Sequence, residues 1–248
     1  MIEISHLDLN CVTHCNFRCT SCSHASPLAP PWSMPLEMIE HDLTVLKSVL
    51  HPRSINIVGG EPTLHKEIVE VLRVVKRIRI GDVVTVITNG SLLHRMPDAF
   101  WNELEYLNLS IYPTLDMDNV RVAEEKSKEF GFGMASHVFT EFYNQLKETP
   151  DDGIGSFKDC HWKTNCFTVH RGFFYLCSQS AFFPNAVLNL PRETDGLTLE
   201  GITEEKLQAF MDRKEPFESC KMCRANEMKA SPWRESARKE WVQDSKKS

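Results

Sequence analysis

Two hydrophobic rhythms alternate along roughly the first half of the chain. Ile4 to Val12, Ser54 to Val58, Val83 to Thr88, Tyr106 to Ile111 and Gly133 to Phe139 are short β-branched or apolar runs bounded by Gly, Asn or Pro, and they predict strands. Between them, apolar residues recur at three- and four-residue steps. Leu36, Ile39, Leu43 and Leu46 predict a helix with Pro35 early in it and Ser33 as its cap. Leu64, Ile68, Val71, Val75 and Ile78 predict a second helix after Thr63, and Leu115 to Phe130 a third, more charged one in which Glu124 and Lys128 pair across a turn. Strands alternating with helices predict an α/β fold with a parallel sheet and crossover helices.

The rhythm changes near residue 142, which is taken as a boundary between a core, 1–142, and a smaller α+β appendage, 143–248. Cys166 to His170 and Phe173 to Cys177 predict a hairpin turning at Arg171-Gly172. A long irregular stretch follows, then a helix over Glu204 to Met211. A further helix is expected after Ser231-Pro232, with Trp233, Ala237 and Trp241 on one stripe.

Composition narrows the class. With 42% hydrophobic and 25% charged residues the chain has ordinary globular values. A net charge of −6 with no basic cluster argues against a nucleic-acid partner. No segment has the length of a membrane span, and the opening Met1-Ile2-Glu3-Ile4-Ser5 lacks the parts of a signal peptide, so neither a membrane nor an exported location is expected and a cytoplasmic one is. Thiols stay reduced there, so the nine cysteines point to metal or redox chemistry rather than disulfides.

Cys15, Cys19 and Cys22 form a C-x3-C-x2-C array just past the first strand. Thiolates ligate iron–sulfur clusters, and three of them on a four-iron cube leave one iron open to a ligand. On the array alone a zinc knuckle stays open, with His14 or His24 as fourth ligand. The second strand ends in Val58-Gly59-Gly60-Glu61-Pro62, where glycines admit close backbone approach and a carboxylate can take a ligand ammonium. Strand ends of this kind are where α/β folds build their sites.

Together these residues resemble the radical S-adenosylmethionine (SAM) superfamily, whose two signatures are the C-x3-C-x2-C loop after the first strand and GGEP after the second. The resemblance covers about residues 4 to 140 and implies a partial (β/α) barrel. It implies a [4Fe–4S] cluster on Cys15, Cys19 and Cys22 and SAM as cofactor. Gly59, Gly60, Glu61 and Pro62 would hold the methionyl group, with Thr88, Asn89 and Ser110 at its carboxylate and ribose. It implies reductive cleavage of SAM to a 5′-deoxyadenosyl radical, hydrogen abstraction from an unactivated carbon, and an external one-electron reductant such as flavodoxin or ferredoxin. The position before the third cysteine is usually aromatic in that superfamily; here it is Ser21.

Cys160, Cys177, Cys220 and Cys223 make a second set. Four thiolates suit structural zinc as well as iron. The run from Cys160 to Gly172, the G-x4-C to Cys177 and the closing C-x2-C resemble the twitch, or shortened SPASM, appendage of some superfamily members. That implies an auxiliary [4Fe–4S] cluster with no open iron, suited to electron transfer. Length and spacings are similar to radical SAM dehydrogenases of aminocyclitol alcohols. A small hydroxylated substrate, sugar- or aminocyclitol-like, is therefore expected, oxidised at a carbinol carbon. An epimerase of a sugar-like or peptide substrate is the alternative, with Cys166 as hydrogen donor; a non-catalytic iron–sulfur or zinc protein is a second. Cys11 is expected in the core. His137 and Glu141 after the fifth strand are candidate catalytic residues, with His65, Arg171, Tyr175 and Gln179 as further pocket candidates and Trp32 as a roof to the site or a cap to the core.

Overall fold

The computed structural model describes residues 1–247, Asn226 by its backbone alone. In chain order the elements are β1 Ile2–Val12, α1 Leu36–Lys47, β2 Leu50–Gly59, α2 Ile68–Ile78, β3 Val83–Thr88, α3 Asp98–Glu103, β4 Tyr106–Ile111, α4 Met117–Phe130 and β5 Gly133–Val138. There follow β6 Glu141–Tyr143, α5 Ile154–Lys158, β7 Thr168–His170, β8 Phe173–Tyr175, α6 Ser178–Ala186, β9 Leu197–Thr198, α7 Glu204–Met211, β10 Ala230–Pro232 and α8 Trp241–Lys247. Among the described residues no helix is long and apolar enough to cross a membrane.

Eight strands form one sheet in the order β5-β4-β3-β2-β1-β7-β8-β9, and β6 pairs antiparallel with β10 in a second. Every pairing from β5 through β1 to β7 is parallel; β8 and β9 run antiparallel at the far edge. This is the open α/β arrangement of a partial (β/α) barrel.

Period-two alternation gives the sheet two faces. Leu7 pairs with Ile55 and Leu9 with Ile57; Ile55 and Ile57 pair in turn with Val84 and Val86. All six are buried in the main core with Leu43 and Leu46 of α1 and Val71 and Val75 of α2. The opposite face is polar. Asn56 Nδ2 donates to Asp8 Oδ1 at 2.8 Å, and Ser54 Oγ donates to Asn56 Oδ1 at 2.8 Å. That polar face is the inner surface of the partial barrel, and it leads to the site.

The chain leaves β1 for β2 on one side and returns to pair β7 on the other, so the strand order reverses at β1. A reversal opens a crevice at the carboxyl ends of the strands. The cysteine loop starts there, directly after Val12. The sheet also crosses residue 142: Asp8 pairs with Thr168 and Leu9 with Val169, and Phe157, Phe167, Phe174 and Leu207 belong to the same core as β1.

Local structure departs from expectation in a few places. Ser33 does not cap α1; it bridges back to Val12, and Pro35 occupies the cap position. Leu64 sits in a separate 3₁₀ turn, Pro62–Leu64, ahead of α2. The stripe of Trp233, Ala237 and Trp241 is not one helix: β10 ends at Pro232 and α8 begins only at Trp241. Helices α3, α5 and α6 were not foreseen.

Candidate active site

The cysteine loop and the glycine turn are built against each other. Gly60 N donates to Val12 O at 2.9 Å and Glu61 N to His14 O at 3.0 Å. A Cβ on Gly60 would stand 2.1 Å from His14 O, and one on Gly59 would stand 2.4 Å from Val12 O. Only glycine fits there, because the chain entering the cysteine loop fills the space a side chain needs.

Glu61 pins the neighbouring strand ends. It is 1% exposed. Its Oε1 accepts from Thr63 N at 3.1 Å and from the hydroxyls of Thr63 and Thr88, both at 2.5 Å; Oε2 accepts from Asn89 N at 2.8 Å. Burial pushes the carboxyl up from its ordinary range, opposed by those four donors. Asn89 Nδ2 in turn donates to Asn16 Oδ1 at 3.0 Å and lies 3.7 Å from Cys15 Sγ, tying the third strand end to the cysteine loop.

These groups surround a cavity of about 230 Å³. Cys15, Cys19 and Cys22 line it together with Gly59, Gly60, Glu61, Thr88, Asn89 and Ser110, and with the rings of Phe17, Tyr112 and Phe142. Pro62 is buried in the 3₁₀ turn and does not line it. Burial pushes all three thiols up, Cys19 to about 12 with repulsion from Cys22 adding to it, and Cys15 with the Glu61 carboxylate adding to it. Metal ligation needs the thiolates, so loading this loop releases protons. Among the described residues no three His, Cys, Asp or Glu side chains converge on a single-ion site. The three thiols instead border a space wide enough for a larger group. The donor set and the glycine cradle fit a three-thiolate [4Fe–4S] cluster with an amino-acid ligand beside it.

A second cavity of about 310 Å³ adjoins the first. Asp8, Ser23, His24 and Phe142 belong to both walls. Glu141, Cys166 and Gln179 line it, as expected of pocket residues, with Tyr143, Gln145, Trp162 and Ser178. Burial pushes the Cys166 thiol up to about 12, with the nearby Asp8 carboxylate adding to it. Burial raises Asp8 as well, against its bond from Asn56. Burial lowers His24 to about 4, so its ring is neutral.

A third, small cavity of about 20 Å³ is lined by Cys160, Cys177, Cys220 and Cys223. Trp162 and Gln179 are common to this cavity and the second. The four thiols supply the donors of either a cube or a zinc ion.

Other candidates fall away from the cavities. His137 is exposed on the edge strand β5 and lines neither of the two larger ones. His65 is a satisfied core histidine, bonded to Met34 O at 2.9 Å and accepting from Glu67 N at 3.1 Å. Tyr175 is buried with its hydroxyl 3.3 Å from Arg192 O. Trp32 packs edge-on to His170 and carries the Arg171 guanidinium 3.7 Å above its ring, so it caps the core instead of roofing the site. Cys11 donates to Val58 O at 3.3 Å within the core. Asp8 was missed by sequence reasoning. Its signal was present: Asp8 and Asn10 alternate with Leu7, Leu9 and Cys11 on a strand otherwise built for burial.

Comparison with known proteins bears on the first cavity. The GTP 3',8-cyclase of Microcystis aeruginosa is 32% identical over 123 residues, which is 48% of this chain and 37% of that protein. The GTP 3',8-cyclase of Chlorobaculum tepidum is 35% identical over 117 residues, 46% of this chain and 34% of that protein. The chain thus spans about a third of the length of these curated relatives. Among solved structures, BtrN in complex with AdoMet and 2-DOIA superposes with a TM-score of 0.56 over 89% of this chain and 85% of that one, at 12% identity. The likeness to BtrN is one of fold, and it continues past the region shared with the cyclases. Residues 9–124 match the Radical SAM superfamily. They hold both the thiol loop and the glycine turn that close around the first cavity, and this chain therefore carries a radical SAM domain.

Proposed function

We propose that this chain is a radical SAM oxidoreductase that removes hydrogen from a carbinol carbon of a small hydroxylated molecule, sugar- or aminocyclitol-like. One observation carries the proposal: three cavities stand in series. The first, with three thiols and Glu61, shares a wall with the second. The second shares Trp162 and Gln179 with the four-thiol cavity. That order supports a reading in which initiation, substrate and electron exit lie in a line.

In this reading Cys15, Cys19 and Cys22 hold the [4Fe–4S] cluster, and Gly59, Gly60 and Glu61 receive the methionyl group of SAM. Thr88 and Asn89 fix the Glu61 carboxylate through the bonds described above, and Ser110 borders the same cavity. When bound, these cofactors supply a 5′-deoxyadenosyl radical that takes a hydrogen atom from an unactivated carbon. The chain's own task in the second cavity is to orient the substrate and to take the hydroxyl proton as a ketone forms. Asp8 suits that task, since burial raises it toward the range of a useful base. Glu141 lies on the same cavity. Residues 143–248 are assigned as a twitch-type unit in which Cys160, Cys177, Cys220 and Cys223 hold an auxiliary cluster that accepts the substrate's second electron, with an external flavodoxin or ferredoxin as reductant.

The relatives are named GTP 3',8-cyclases, but the similarity is confined to about half of this chain. Among the described residues no Lys or Arg lines the first or the second cavity. A triphosphate needs such cations, which disfavours a nucleotide substrate.

Cys166 favours epimerisation as a second reading. It lines the substrate cavity and stays protonated, as a hydrogen donor must. The test is an oxygen-free reconstitution with reductant and SAM, followed by screening deuterated hydroxylated substrates for label in 5′-deoxyadenosine. Label together with a ketone product supports the dehydrogenase. Solvent hydrogen in an inverted product, lost in Cys166→Ala, supports the epimerase. A loaded protein that forms no 5′-deoxyadenosine rejects both.

A further inference from the structure

Segment 230–247 runs back to the cysteine loop and is tied to it along its length. Thr20 N donates to Arg234 O at 2.9 Å and Ser236 N to Arg18 O at 2.9 Å, around an antiparallel bridge between Cys19 and Glu235. Arg18 N donates to Glu235 Oε1 at 2.9 Å, Trp241 Nε1 to Cys19 O at 2.9 Å, and Ser21 N to Ser245 Oγ at 3.0 Å. The backbone that carries Cys19 is thus satisfied by this segment rather than by the barrel.

The same segment brings Trp233 against two rings of the first cavity. Trp233 stacks on Tyr112, ring centroids 5.6 Å apart at 26°, and meets Phe17 edge-on at 6.2 Å. Phe17 and Tyr112 also touch, at 5.7 Å. Those two rings, with Phe142, are the aromatic wall of the first cavity, whose remaining lining is mostly thiols, glycines and small polar groups. Phe17 and Phe142 each meet Tyr112 edge-on, at 77° and 75°, so the wall is folded and a heterocycle stacks on one ring face of it. Ser21 cannot serve, because it lines the second cavity and its hydroxyl is buried without a partner.

We propose that Trp233 is a positioning residue of the cofactor site: carried in on segment 230–247, it fixes the rings of Tyr112 and Phe17, one of which takes the purine of SAM on its face. The proposal rests on the radical SAM reading of the first cavity. Trp233 itself does not line that cavity; it acts through its two neighbours, and its side chain also interacts with the Cys19 thiol.

The test compares two ligands on the full chain, cluster-loaded and oxygen-free. One is SAM. The other is S-methylmethionine, which carries the sulfonium and amino acid without the nucleoside. Binding is read by calorimetry and by the change each ligand makes in the electron paramagnetic resonance spectrum of the reduced cluster. Trp233→Ala, compared per loaded cluster, is expected to weaken SAM binding about tenfold while leaving S-methylmethionine binding at its wild-type level. Trp233→Phe, which keeps a ring, is expected to restore most of the loss. Unchanged SAM affinity in Trp233→Ala overturns the proposal. So does an equal loss for both ligands, which is the mark of a loop that has merely loosened. A wild-type chain that loads iron yet binds neither ligand refutes the radical SAM reading itself, a result separable from the role of Trp233.

Discussion

Gly60 sits where a single methyl group decides whether two motifs meet. The entering cysteine loop leaves no room beyond its Cα. Gly60→Ala must therefore displace the backbone of His14 and Cys15. The expected cost is about 1–3 kcal/mol, and the displacement falls on the segment that carries the first thiol. Iron analysis after anaerobic reconstitution should show the variant taking up markedly less than wild type, with a lower denaturant midpoint. His170 offers a second test at this scale. It is 2% exposed, between Trp32 and Phe182. Its Nδ1 bonds Asn10 O at 3.2 Å, and burial lowers it to about 3. The unfolded chain binds a proton on this ring more readily than the folded one. The stabilisation is therefore complete above the ordinary histidine range and is lost as pH falls toward the folded value. From about pH 6.5 to about pH 5 the loss is about 2 kcal/mol for this one ring. Urea melts of His170→Asn against wild type should show a shallower fall over that interval; equal slopes would remove His170 as the cause.

The hairpin β7–β8 shows what an element contributes and how far sequence reasoning reaches. Arg171 and Gly172 have φ values of 52° and 78°, the positive pair that a two-residue turn between twisted strands requires. Gly172 N also donates to Asp42 Oδ2 at 2.8 Å, fastening the turn to α1. A Cβ on Gly172 would meet nothing within 4 Å, so Gly172→Ala isolates the conformational cost. The expected loss is about 1–2 kcal/mol, visible as a lower urea midpoint at constant slope. This hairpin was legible because turn chemistry is local. The same holds for β3, β4 and α7, whose bounds follow the apolar runs. Helix α6 was not legible. Its residues from Ser178 to Pro184 are all buried, so no polar stripe marks a period, and Pro184 reads as a breaker. The spacing of Trp233, Ala237 and Trp241 mimicked a helix, yet pairing of β10 with β6 and of Glu235 with Cys19 prevailed. The cysteine and glycine motifs of the first cavity were legible as short patterns. Asp8 was not picked out, since its place depends on which face of β1 turns inward.

On the scale of the whole molecule, one sheet joins the radical SAM domain to the residues beyond it, because β7 pairs directly with β1. The four-thiol cavity is thereby held beside the second cavity by backbone bonds rather than by a linker. If both thiol sets take cubes, oxygen-free material carries about eight iron atoms per chain, and Cys223→Ala about four. That variant should still cleave SAM while failing to complete substrate oxidation. Full turnover would dismiss the auxiliary cluster as an electron acceptor, and zinc in place of iron would dismiss the cluster itself.

The clasp across the cysteine loop has a consequence for biosynthesis. Arg18 and Glu235 meet across 217 residues of sequence. During translation, the loop that bears Cys19 emerges from the ribosome long before its partner segment is made. Until then the amides of Arg18, Thr20 and Ser21 have only water as partner. Folding of the later segment fixes the backbone that carries Cys19. Bulky fusions beside segment 230–247 should therefore loosen that backbone and lower the iron taken up on anaerobic reconstitution, whereas the same fusions ahead of β1 should not.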